Sequence, residues 1–177
     1  FWLGINYLVL HAPIDVFSVP NVPAITNVTV YESSVESPEK LASSLAKSNS
    51  TLPDDWYQSA YKVDQVWYRA KFEADHALAA VWAVYLPSVT HNAAVFINGI
   101  WVGQGGDFTA PVSRNHNRPM LFDFSSALLS GGDLTGGNIS GEKSVGPSKN
   151  TIEIRVKASH PSQGLLDQFY LAPLNEL

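Results

Sequence analysis

The chain has 177 residues, a length that suits one domain and buries a core without disulfide or metal staples. A hydrophobic fraction of 45% against 15% charged residues excludes a disordered chain. A net charge of −5 offers no basic field to displace phosphate counterions, which argues against a nucleic-acid partner. The absence of cysteine excludes disulfides, thiolate catalysis and Cys-ligated zinc.

Residues 1–23 read as an extended lead-in. "FWLGINYLVLHAP" is shorter than the roughly 20 apolar residues of a spanning helix and has no basic leader. It is either the tail of a signal or membrane segment or an ordinary first strand. Pro13, Pro20 and Pro23 keep the stretch that follows out of a helix. From residue 24 to 177 the pattern predicts a single β-sandwich domain. "AITNVTVYES" alternates as a first sheet strand. "SPEKLASSLAKS" is the best helical stretch, with Ser37 as cap, Pro38 in the first turn and Glu39 at the positive end of the dipole. "NSTLPDDWYQSAY" reads as a loop with aromatics.

"QVWYRAKFEA" predicts a strand with Trp67 or Tyr68 inward, depending on register. "LAAVWAVYLPSV" is a near-continuous apolar run, as in a strand covered on both faces. "NAAVFI" and "IWVGQ" flank Asn98-Gly99, which tolerates positive φ at both turn positions and so predicts a hairpin. "RPMLFDF" is a further strand, and "SSALLSGG" a helical turn opened by Ser125 or Ser126 and stopped by Gly131. Residues 131–149 are too rich in glycine and polar residues to build a core and predict a flexible loop. "TIEIRVKA" places Ile152, Ile154, Val156 and Ala158 inward, with Glu153, Arg155 and Lys157 toward water. "QFYLAPL" closes the domain. Many short strands, turn signals and one or two short helices predict an all-β fold, an antiparallel sandwich or jelly roll.

Few residues fall into a pattern that carries chemistry. "VGQGGDF" is glycine-rich like a phosphate-binding loop, but no helix follows it, and it reads as a tight loop leaving the hairpin. His11, His76, His91, His116 and His160 are scattered without metal-ligand spacing. No paired carboxylates, nucleophile elbow or metal motif is present, so no enzymatic activity, cofactor or metal is expected. The sequons at Asn27, Asn49 and Asn138 matter only in a eukaryotic secretory setting. The densest polar cluster runs from Arg114 through Asn115, His116 and Asn117 to Arg118, soon after Trp101, Gln104, Asp107 and Phe108. Guanidiniums, amides and an imidazole beside aromatic rings suit a carboxylate or sugar hydroxyls. The same residues also suit the humbler task of satisfying loop backbone, and Trp101 that of cross-strand packing.

The succession "LPDDW…VWYRAKFEA…AAVFINGIWVGQGGDF…PV…NTIEIRV…GLL" resembles the sugar-binding jelly-roll domain of β-galactosidase- and β-glucuronidase-type glycosidases, within the galactose-binding-like superfamily. Shared features are Trp56 after Pro-Asp-Asp, Trp67-Tyr68-Arg69, Asn98-Gly99 followed by Val102-Gly103, and Asn150 opening an alternating strand. The chain also resembles the extracytoplasmic sensor region of bacterial membrane histidine kinases. That likeness rests on a Gly-Gly-Phe-like loop, on Arg114, Asn117, Arg118 and Pro119, and on Leu128, Leu129 and Gly131. The long stretch 131–149 and the region before Leu52 depart from both patterns. The second resemblance implies a non-catalytic sensor on the periplasmic or extracellular side of a bacterial inner membrane, tethered through segments outside this chain. The first implies an accessory domain of a secreted glycosidase. A third reading is a structural interaction domain. The implied ligand is a small molecule or carbohydrate, and homodimer formation is left open. The candidate binding residues, from the polar cluster and the loop after Trp101, are Trp101, Gln104, Asp107, Phe108, Arg114, His116, Asn117 and Arg118.

Overall fold

A computed structural model describes residues 21–41, 48–109, 118–130 and 146–177. Most of the predicted lead-in, residues 42–47 of the predicted helix, and residues 131–145 of the glycine-rich loop lie outside them. β1 (Asn27–Glu32), β2 (Ser48–Thr51), β4 (Gln65–Ala74), β7 (Asn92–Ile97), β8 (Ile100–Gly105) and β10 (Ser148–Lys157) form a six-stranded sheet in the order β2-β1-β4-β10-β7-β8. β5 (Val81–Leu86), β9 (Met120–Ser125) and β12 (Tyr170–Pro173) form a second sheet in the order β12-β5-β9. β3 (Asp54–Asp55), β6 (Val89–Thr90) and β11 (Leu165–Leu166) make a small third sheet ordered β3-β11-β6. Every strand pair is antiparallel.

Apolar side chains from both larger sheets share one core, which makes the fold the expected antiparallel sandwich. Val30, Tyr68, Ile154 and Val95 come from one layer, and Trp82, Val84 and Phe124 from the other. Among the described residues no helix is long and apolar enough to cross a membrane. The helical pieces are short: α1 (Pro38–Leu41), α2 (Trp56–Ser59) and two 3₁₀ turns, Ser126–Leu128 and Leu174–Glu176. Ser125 opens the first of these turns, its hydroxyl accepting from the Ala127 amide at 3.2 Å.

Several expectations are corrected by what covers each face. Trp67 and Tyr68 are both buried, Tyr68 between the sheets and Trp67 on the opposite face of β4. Glu153 and Arg155 do not face water. They point away from the main core as expected, yet they are only 4% and 8% exposed. The reason is a second, smaller apolar layer on the outside of the large sheet. There Leu41, Trp67, Ala94 and Phe96 cluster with Tyr31, Val35 and Phe108. The Ser33–Leu41 segment is tied over that face: Gln65 Nε2 donates to the Ser33 and Val35 carbonyls at 2.8 Å each, and the Trp67 indole donates to Val35 at 3.0 Å. The stretch 49–61 is no plain loop, because it supplies β2, β3 and α2. The glycine-rich stretch ends earlier than expected, since β10 already begins at Ser148.

Candidate functional site

Two polar clusters, each closed by hydrogen bonds among its own residues, take up the Pro-Asp-Asp-Trp and Asn-Gly motifs of the sequence. In the first, Asp54 is buried against the end of the sandwich. Its carboxyl accepts from Tyr61 Oη at 2.7 Å, from Tyr68 Oη at 2.8 Å and from the Ser59 hydroxyl. Tyr68 Oη in turn accepts from the Trp56 indole at 2.6 Å. Burial, with Asp54 adding to it, raises both tyrosines well above the usual phenol range, so they remain protonated donors. Asp55 caps α2, accepting from the Tyr57 amide at 2.9 Å.

The second cluster fastens the hairpin. Asn98 and Gly99 have φ of 50° and 81°, as a primed turn requires. Asn98 Nδ2 donates to Asn150 Oδ1 and to the Leu128 carbonyl, each at 2.8 Å, and its Oδ1 accepts from the Thr151 amide at 2.9 Å. Asn150 Oδ1 also accepts from the Ser130 amide at 2.7 Å. These bonds fasten the turn to β10 and to the end of the 3₁₀ turn at Ser126–Leu128.

The strand after the turn is different. The pairing of β7 with β8 shifts between Val95 and Phe96. Val102 packs against the main core, and a Cβ on Gly103 would lie 2.9 Å from Phe122, so both residues face inward. This bulge sends Trp101 and Gln104 together to the outside, opposite Phe96 and Ala94. Simple alternation would have put them on opposite faces. Trp101 is 57% exposed there.

Strand register then assembles a row across the outer face of the large sheet: Asn49, Thr29, Arg69, Glu153, Phe96 and Trp101, one from each strand. Alternation turns each of these side chains outward. Arg69 Nε pairs with Glu153 Oε1 at 3.1 Å, its Nη1 donates to Tyr31 Oη at 3.4 Å, and its guanidinium lies 5.3 Å from the Tyr31 ring centre. Burial raises Glu153 above the usual carboxylate range, and Arg69 opposes that rise. In the neighbouring row the Arg155 guanidinium sits 3.9 Å from the Phe108 ring centre and donates to the Glu36 carbonyl at 3.2 Å. Glu153 Oε2 and Arg155 Nε have no hydrogen-bond partner among the described residues. Beside Arg69 an open groove of about 690 Å³ runs over β2, β1 and β4.

Of the eight residues expected to bind, the structure brings Trp101, Gln104 and Phe108 to this one face. Gln104 also lines a second, smaller groove with the exposed Arg118, beside Met120 and Phe122. Phe108 serves as the platform beneath Arg155. Asp107 is turned onto its own loop, accepting from the Thr109 amide at 2.9 Å and hydroxyl at 2.6 Å, bonds that lower its pKa. Arg114, His116 and Asn117 lie outside the described residues. Arg69, Tyr31 and Asn49 were missed: they are far apart in sequence, and only strand order makes them neighbours. No group of metal-ligating side chains occurs among the described residues.

No protein-family model and no curated protein matches the chain. Solved structures do. A β-glucuronidase from an uncultured Clostridium species aligns with 86% of this chain at a TM-score of 0.52 and 13% identity. A β-glucuronidase from Ruminococcus gnavus aligns with 84% at 0.51 and 11% identity. A GH2 β-galacturonidase from Eisenbergiella tayi aligns with 85% at 0.50 and 13% identity. None of these three is a histidine-kinase sensor. The chain spans only 29%, 28% and 24% of their respective lengths, so it has the fold of one domain within larger glycosidase chains.

Proposed function

We propose that this chain is a non-catalytic, carbohydrate-contacting β-sandwich domain of a larger glycosidase-type protein, and that it meets saccharide on the outer face of its six-stranded sheet. The observation that carries this reading is the row from Asn49 to Trp101. The Asn49 amide, Thr29 hydroxyl and Arg69 guanidinium stand accessible at one end of it and the exposed Trp101 indole at the other, with Glu153 and Phe96 buried between them, over about 24 Å at roughly 4.8 Å per step. Aromatic rings offer apolar faces to a sugar ring, while the polar groups between them fix its orientation. The fold likeness supports the same reading, because the matching chains are glycosidases of which this fold is one part. The three matching chains are glycosidases and not membrane sensors, so the likeness favours the glycosidase-type reading over the sensor one.

Trp101 supplies the test. The other described tryptophans, Trp56, Trp67 and Trp82, are buried, so in a chain carrying Trp2→Phe saccharide-dependent quenching of tryptophan emission reports chiefly on Trp101. Titration with a panel of neutral and acidic oligosaccharides is expected to quench that emission, and Trp101→Ala to abolish the response. A panel without effect on emission or on backbone amide resonances of this face overturns the proposal.

A further inference from the structure

The groove over β2, β1 and β4 has a more specific chemistry than the face as a whole. Its lining contains Arg69 and Lys71 and no carboxylate, in a chain whose net charge is −5. Lys71 is exposed and makes no ion pair among the described residues. Arg69 spends its Nε on Glu153 and its Nη1 on Tyr31, which leaves Nη2 uncommitted. Across the groove Thr29 Oγ1 donates to Asn49 Oδ1 at 3.1 Å, which orients the Asn49 amide and leaves its NH₂ group to donate outward. Asn27 stands exposed in the next outward position of β1, paired with Thr51 of the edge strand. Uncommitted donors here outnumber uncommitted acceptors, and two of them are cationic. Neutral saccharides, which carry donors and acceptors in balance, would leave several of these groups unmatched.

We propose that this groove selects acidic saccharides, with Lys71 and the free edge of Arg69 meeting a sugar carboxylate while Asn49 and Asn27 meet ring hydroxyls. A guanidinium with one open edge and a mobile ammonium beside it suit a planar carboxylate. The inference rests on the carbohydrate-contacting reading above and adds a substrate class to it.

The test compares three ligands on the whole chain by calorimetry: a uronic-acid trisaccharide, its methyl ester, and a neutral trisaccharide, with sodium acetate as a competitor. The acid is expected to bind about tenfold tighter than its ester at low salt, a gap that narrows as added salt screens the charges. Lys71→Met, an exposed substitution, should close most of that gap and leave the melting temperature unchanged. Equal binding of acid, ester and neutral sugar overturns the acid preference and leaves the carbohydrate reading intact. A preference that survives Lys71→Met places the recognition elsewhere and also overturns the inference. Competition by acetate at the same concentration reduces the groove to a bare anion site. If none of the three sugars binds, the carbohydrate reading itself falls.

Discussion

Strand β4 carries a buried polar cluster on each of its faces, and the two are built by opposite rules. On the inner face Asp54 is surrounded by neutral hydroxyls, and three of them donate to it. On the outer face Arg69, Glu153 and Arg155 are ionic, and Glu153 Oε2 and Arg155 Nε find no partner among the described residues. A satisfied network of hydroxyls rigidifies a core. A partly satisfied ionic one contributes little to stability, and an unpaired buried charge costs several kcal/mol or is relieved by a change of protonation. The difference separates scaffold from surface. The inner cluster holds the sandwich shut, while the outer one carries charge to the edge of an open groove.

The contrast is sharpest where packing is tightest. Gly164 lies against Trp56, so that a Cβ there would fall 2.0 Å from the indole ring. Trp56→Ala should cost about 3–5 kcal/mol in denaturant unfolding, and Gly164→Ala about 3 kcal/mol through the clash. A loss below about 1 kcal/mol for both would mean that the indole can relocate. Next in size, Asp54→Ala strands the hydroxyls of Tyr61 and Tyr68 and should cost about 2–3 kcal/mol. A neutral result would remove the distinction between the two faces.

The outer cluster should respond to pH. Burial raises Glu153 from its ordinary 4.5, so the folded chain holds that proton more tightly than the unfolded one does. The contribution of this site to stability is therefore present below 4.5 and declines as pH rises through the interval up to the folded value. Glu153→Gln, which cannot lose a proton, should gain on the parent chain across that interval. Unfolding curves for both chains over a pH series check the sign, and a constant difference would show that Arg69 fully compensates the burial. The smallest effect belongs to Trp101→Ala, expected to change stability by less than about 0.5 kcal/mol because the side chain is mostly exposed on an edge strand. A larger loss would make Trp101 part of the scaffold.

Much of the fold was legible because its signals are local. Asn98-Gly99 announces a primed turn through the φ values those residues tolerate, and "QVWYRAKFEA" coincides with β4 from end to end. Of the two serines the motif offers as caps, Ser125 takes the role with its hydroxyl. The candidate site was legible only in part. Trp101, Gln104 and Phe108 reach the outer face, but Gln104 does so through a bulge that depends on the inward packing of Val102 and Gly103. Arg69 passed unnoticed as a binding residue because its partners, Glu153 and Tyr31, are 84 and 38 residues away.

Alternation along a strand says that two neighbouring residues point to opposite sides, and for Ile152 to Ala158 that was enough to name the core face. It says nothing about what lies over the other side. That was decided by the third dimension, where the Ser33–Leu41 segment and Phe108 come to rest over Trp67 and Arg155 and take Arg155 out of water. Short-range sterics and periodicity set the strands and turns of this protein. Strand order and the segments laid across the sheet set which of its polar side chains are neighbours, and hence what the outer face can bind.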